Sequence, residues 1–116
     1  MTIDIPQDIL EFIDGFIDAF ITWDLLIYFS KRGREPVTLQ QISTILGRDE
    51  KEVAPPVKKL ALARLITPEK RVDGDILFKL NPDAPQFNAF QNFAAFNEQQ
   101  ENRLKILSYL LQKKVR

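Results

Sequence analysis

The chain of 116 residues contains neither cysteine nor histidine. Without cysteine there is no disulfide, no thiolate nucleophile and no thiolate metal ligand, which fits a reducing compartment. Without histidine the commonest general base and the commonest metal ligand are also missing. Glycine is scarce, and none of Gly15, Gly33, Gly47 and Gly74 lies in a phosphate-cradling cluster. Serine is limited to Ser30, Ser43 and Ser108. Of the paired carboxylates, Asp73 and Asp75 are expected to form a turn, and Asp14 and Asp18 to lie on a solvated helix face. These absences predict a protein that is not an enzyme and that carries no cofactor and no metal site.

Long apolar runs are missing too. The most apolar segment, Phe16 to Phe29, is interrupted by Asp18 and Asp24. It falls short of the roughly 18 residues that a membrane span needs. The first residues bring acids where a signal peptide would have bases. A cytoplasmic protein with no membrane partner is expected.

What is present is ordinary for one globular domain: 45% hydrophobic and 28% charged residues. A single domain over 1–116 is long enough to bury one core. The formal net charge is zero, which counts against a dedicated nucleic-acid binder. The charges are nevertheless segregated. Residues 1–30 carry Asp4, Asp8, Glu11, Asp14, Asp18 and Asp24 and no base. Residues 102–116 carry Arg103, Lys105, Lys113, Lys114 and Arg116 and no acid. The two ends should attract each other, within one chain or between chains, unless both are simply solvated helix faces.

Val37 to Ile66 is the most informative stretch. Thr38 is a good N-cap, and Gln41 completes a capping box. Val37 and Ile42 stand where a hydrophobic staple forms. Leu39, Ile42, Ile45 and Leu46 repeat at helical spacing and predict one apolar face. Gly47 can take the left-handed conformation that ends a helix. Asp49, with Glu52 three residues on, is a second cap candidate. Val53, Val57, Leu60 and Leu65 continue the apolar stripe. Two short helices joined by a glycine turn predict a helix-turn-helix. Pro55 and Pro56 are anomalous within it, because an interior proline costs about 3 kcal/mol. They predict that the second helix starts late, with the prolines in its first turn and Asp49–Glu52 as a tight turn.

A hairpin is expected next. Asp73-Gly74 separates Thr67–Val72 from Asp75–Leu80, and Asp-Gly between strand-competent runs favours a turn with positive φ at both residues. Ile76, Phe78 and Leu80 alternate with Leu77 and Lys79, as in a half-buried strand. Pro68 makes the first strand an edge, or delays its start. A helix-turn-helix followed by a hairpin resembles a winged-helix domain, and is similar to the bacterial MarR- and ArsR-like transcriptional regulators over roughly residues 22–82. The resemblance implies that the second helix of the motif enters the major groove, with the wing beside it.

The flanking segments predict helices. Residues 6–21 place Ile9, Leu10, Phe12, Ile13, Phe16, Ile17 and Phe20 opposite Asp8, Glu11, Asp14 and Asp18. Thr22 either ends this helix and caps another over Trp23–Lys31, or lies within one continuous helix. Residues 85–114 are expected as one long helix of roughly 40 Å. Its heptad-like register runs Phe90, Phe93, Asn97, Gln100, Leu104, Leu107, Leu111. It should pack on the N-terminal helix and form a homodimer across a two-fold axis.

The fold class is therefore mainly α with a small β-hairpin: a winged helix-turn-helix flanked by an N-terminal helix and a long C-terminal one. The function expected is that of a dimeric winged-helix regulator binding duplex DNA. Its contacts would come from Thr38, Gln40, Lys51, Lys58, Lys59, Lys70 and Arg71. Bases outnumber acids by three over residues 48–71. Against sequence reading stand Asp49, Glu50 and Glu52 near the phosphates, and the lack of an exposed Arg, Asn or Gln pair for bidentate base contacts. The alternative is a winged helix that binds a protein partner and reads no DNA sequence.

Overall fold

The computed structural model describes residues 4–115. Among them, six helices and three short strands follow in the order α1 (Gln7–Phe16), α2 (Phe20–Arg32), β1 (Val37–Thr38), α3 (Leu39–Leu46), α4 (Glu50–Leu62), β2 (Ile66–Lys70), β3 (Ile76–Leu80), α5 (Phe87–Asn97) and α6 (Gln100–Gln112). The strands form one antiparallel sheet in the order β1-β3-β2. The chain is mainly helical, with a winged-helix-like centre.

That centre follows from local chemistry. The Thr38 hydroxyl accepts from the Gln41 N–H at 3.2 Å, and the Gln41 side chain accepts from the Thr38 N–H at 2.9 Å. This reciprocal cap starts α3. Val37 and Ile42 are both fully buried beside it. Gly47 ends α3 at φ 65°, ψ 36°, where a Cβ would be strained. The Arg48 N–H then bonds back to the Ser43 carbonyl.

α4 departs from expectation. Asp49 takes the N-cap position, but its carboxylate makes no capping hydrogen bond. The helix begins at Glu50, so there is no separate turn over 49–52, and Pro55 and Pro56 lie inside it. They deprive the carbonyls of Lys51 and Glu52 of their usual donors. Both residues lie on the exposed side of α4, and the helix continues through the prolines. Val53, Val57 and Leu60 face the core. Arg64 closes the helix in a left-handed conformation at φ 65°, and its carbonyl accepts from the Asn81 amide at 2.9 Å.

β2 is an edge strand and carries Pro68 opposite Phe78. The turn is not of the kind expected. Gly74 takes a positive φ of 95°, whereas Asp73 does not. The Gly74 N–H bonds to the Arg71 carbonyl, and the Arg71 N–H to the Asp75 carbonyl at 2.7 Å. This pattern is a type I turn closed by glycine.

Both flanking segments are broken. α1 stops at Phe16 and α2 starts at Phe20, so Thr22 is neither an end nor a cap. It is buried within α2, and its hydroxyl lies 3.5 Å from the Asp18 carboxylate. The expected long C-terminal helix divides at Glu98–Gln99 into α5 and α6. Side chains cap the end of α5. The Asn102 amide donates to the Phe96 carbonyl at 2.9 Å. The Arg103 guanidinium donates to the carbonyls of Asn97 at 2.9 Å and Glu98 at 2.8 Å. These bonds supply partners for carbonyls that a helix end leaves orphaned.

One core runs through the whole chain. Phe12 of α1 stacks on Phe16 at 4.7 Å and packs against Phe93 and Phe90 of α5 at 5.2 and 6.3 Å. Asn97 is buried and accepts from the Trp23 indole N–H at 2.9 Å. The acidic N-terminal and basic C-terminal segments do meet within the chain. Asp14 accepts from Tyr109 at 2.7 Å and from Lys113.

Candidate nucleic-acid interface

α4 presents two faces. Its buried face sets the helix against the core through Val53, Val57 and Leu60. Lys51, Pro55, Lys58 and Leu62 recur at spacings of four, three and four, and all four are exposed. They therefore share one outward stripe. Glu50 and Glu52 are exposed in the first turn, where they complement the positive end of the helix dipole.

Lys51 and Lys58 enter no ion pair among the described residues, and neither does Lys70 at the end of β2. Arg71 is exposed on the wing, with its guanidinium 3.1 Å from Asp73. Arg48 is held by Glu52 at 3.3 Å. Lys59 lies off the outward stripe. Its ammonium donates to Asp18 at 2.9 Å, in the link between α1 and α2. Thr38 is half-buried, with its hydroxyl occupied as a cap. Gln40 is exposed, and its carbonyl accepts from the Thr44 hydroxyl at 3.0 Å. Of the residues singled out from sequence, Lys51 and Lys58 thus stand together, Lys70 and Arg71 stand together on the wing, and Lys59 is tied elsewhere.

Apolar residues on the same motif also reach solvent. Leu62 is 77% exposed and Ile45 66% exposed, while Val72 at the wing tip is fully exposed. The sequence expectation put Ile45 on the core face of α3. Ile42 is the buried residue of that helix, and Leu39 and Leu46 flank it half-buried. Ile45 falls outside that arc. For Leu62 the signal was available, since it lies seven residues after Pro55 on the stripe opposite the core.

Ionisation is perturbed where the helices are tied together. The Lys113 hydrogen bond, aided by Tyr109, holds the Asp14 carboxyl below its ordinary value. The Lys59 hydrogen bond does the same for Asp18. The Asp14 carboxylate pushes the Tyr109 phenol up. A separate cleft of about 880 Å³ opens between the C-terminal end of α2 and α5, with Ile27, Phe87 and Phe90 beside Lys31 and Arg103. Among the described residues no helix is long and apolar enough to cross a membrane.

No family model matches the chain, and no curated protein matches it. Among solved structures, the chain is similar to RV1404 from Mycobacterium tuberculosis, with a TM-score of 0.57 and 18% identity over 91% of this chain. It covers 65% of the length of that protein. A probable transcriptional regulator from Pseudomonas aeruginosa aligns at a TM-score of 0.48 and 19% identity, over 81% of this chain and 76% of that one. At 18% identity, the likeness to RV1404 is one of fold.

Proposed function

We propose that the protein is a dimeric winged-helix regulator of transcription that holds duplex DNA through α4 and the wing. The observation that carries this reading is the outward stripe of α4, where Lys51 and Lys58 stand exposed without acidic partners among the described residues. Lys70 extends the same charge onto the wing, and Arg71 can leave Asp73 for a phosphate, because an exposed pair is worth little. Binding is mainly to the backbone. The stripe holds no Arg, Asn or Gln for bidentate base contacts. Lys59 takes no part, and Thr38 and Gln40 serve at most as neighbours of a phosphate.

Titration with duplex DNA at low salt tests the reading. Four phosphate contacts per protomer, from Lys51, Lys58, Lys70 and Arg71, give a log–log salt slope of about −3.6, roughly doubled in a dimer. Lys51→Ala/Lys58→Ala should reduce both the affinity and the slope. Wild type that binds no better than this variant would remove the proposal. The second reading, a protein-binding module, is favoured by the exposure of Ile45 and Leu62 on the same motif. Under it, duplex binding is absent, and Ile45→Ser/Leu62→Ser releases a partner that wild type retains.

A further inference from the structure

A second cleft, of about 320 Å³, lies between α2 and the outer face of α3 and is lined by Tyr28, Arg32, Gln40, Gln41, Thr44 and Ile45. Tyr28 and Arg32 stand one helical turn apart on α2, and the four α3 residues share one face. Two polar atoms of these residues are buried without a hydrogen-bond partner among the described residues: the Tyr28 hydroxyl and the Arg32 Nε. The far end of the Arg32 guanidinium is engaged. Its Nη2 donates to the Pro36 carbonyl at 3.3 Å and lies 3.9 Å from Glu35, whose side chain is 78% exposed. So exposed a pair is weak, and it leaves Nε unserved. The Tyr28 ring meets Phe29 edge-on, with centroids 5.7 Å apart. Gln41 spends its side-chain carbonyl on the Thr38 N–H and keeps its amide nitrogen as a donor. No acid lines the cleft, and Ile45 stands at its rim, 66% exposed.

We propose that this cleft receives an acidic side chain of a protein partner, with an apolar residue of the same segment packed on Ile45. A buried donor left without an acceptor costs free energy, so the occupant must bring acceptors. A carboxylate brings two oxygens and the charge opposite to that of Arg32, and hydrogen bonds of this kind are the strong ones. Size points the same way. Pockets for whole small molecules run from roughly 300 to 1,000 Å³. This cleft lies at the bottom of that range and suits the side chains of a docked segment. Ile45 separates a polypeptide from a DNA phosphate, which brings similar acceptors but nothing apolar for that residue. Lys51, Lys58, Lys70 and Arg71 take no part in the cleft. The inference deepens the second reading above, because it names the chemistry of the partner at Ile45, and it rests on that reading.

The test starts from a phage-displayed library of random dodecapeptides selected on the full chain. The expected result is enrichment of sequences that place Asp or Glu beside Leu, Ile, Val or Phe. One such peptide is then titrated, and changing its acid to the amide should weaken binding about tenfold or more. Arg32→Lys keeps the charge but removes Nε, and Ile45→Ser removes the rim contact. Each should weaken binding by about threefold to tenfold. Tyr28→Phe is the decisive variant. It deletes a buried hydroxyl that has no partner in the free chain. The melting temperature should therefore hold or rise, while the peptide binds about threefold or more weakly. A tyrosine that serves only the fold does not separate those two readouts. Enrichment without an acid, or peptide binding unchanged in Tyr28→Phe and Arg32→Lys, overturns the proposal. Peptides that depend on Leu62 but not on the cleft overturn it and leave the protein-binding reading standing. Enrichment of no peptide at all removes that reading as well. Isovalerate and a short DNA duplex are titrated in parallel. Either one, if bound more tightly than the peptide and lost in Arg32→Lys, assigns the cleft to a free carboxylate or a phosphate and overturns the proposal.

Discussion

Two helix breaks can be set side by side. Between α3 and α4 the chain turns at Gly47, in a left-handed conformation that glycine adopts without strain. Between α5 and α6 it turns at Glu98 and Gln99, whose dihedrals are open to any residue. The first break is written in the backbone and persists whatever packs around it. The second is held by the side chains of Asn102 and Arg103 and by the packing of α6. A motif that must keep its shape uses the first device. The link between α5 and α6 uses the second.

Equal deletions in the two regions should therefore have unequal consequences. Ile42→Ala and Ile106→Ala each remove a fully buried side chain, at a cost of about 2–5 kcal/mol. The first is expected to lower the stability of the whole domain in one transition. The second should release α6 alone, so that hydrogen exchange rises over 100–112 and stays slow in α3 and α4. Uniform exchange in both variants would abolish the distinction.

Gly47→Ala tests the backbone side. The built Cβ would meet nothing within 4 Å, so the whole penalty is conformational, about 1–2 kcal/mol. Chemical denaturation should register that loss, while Glu98→Ala at the other break should be close to neutral. Arg103→Ala tests the side-chain side. It removes two bonds to carbonyls at the end of α5, worth about 1 kcal/mol for an exposed donor. Faster exchange in α6 with an unchanged α3 is the expected signature.

Acid gives the smallest effect. Asp14 and Asp18 are held below their ordinary value of 3.8 by Lys113 and Lys59. A depressed folded value means that the stabilisation is present above about pH 4 and is lost as pH falls through the folded value. Their side chains are 47% and 69% exposed, so each contributes well under about 1 kcal/mol. Melting temperature should drop slightly more between pH 5 and pH 3 in wild type than in Asp14→Asn, and added salt should shrink the difference. Tyr109 has the opposite sense. Its raised value means that its contribution disappears only as pH climbs beyond 10.

The helix-turn-helix was legible because its signals are local. Thr38 caps Gln41 three residues away, Gly47 ends its own helix, and Asp73-Gly74 sits within its own hairpin. The division of the C-terminal helix was not, because what holds it comes from elsewhere. Trp23 reaches Asn97 across 74 positions. Late initiation of α4 was the wrong inference from its prolines: the helix starts at Glu50, and the carbonyls that they orphan belong to exposed residues. In the candidate interface, helical period was enough to turn Lys51 and Lys58 outward. No period could show that Lys59 meets Asp18, 41 positions earlier in the chain.

The prolines of α4 have a consequence for whatever settles on that helix. The carbonyls of Lys51 and Glu52 remain as two acceptors without their usual helical donors in the first turn of α4. A visitor that seals them from water without feeding them loses free energy with each one. A visitor bringing N–H groups does not.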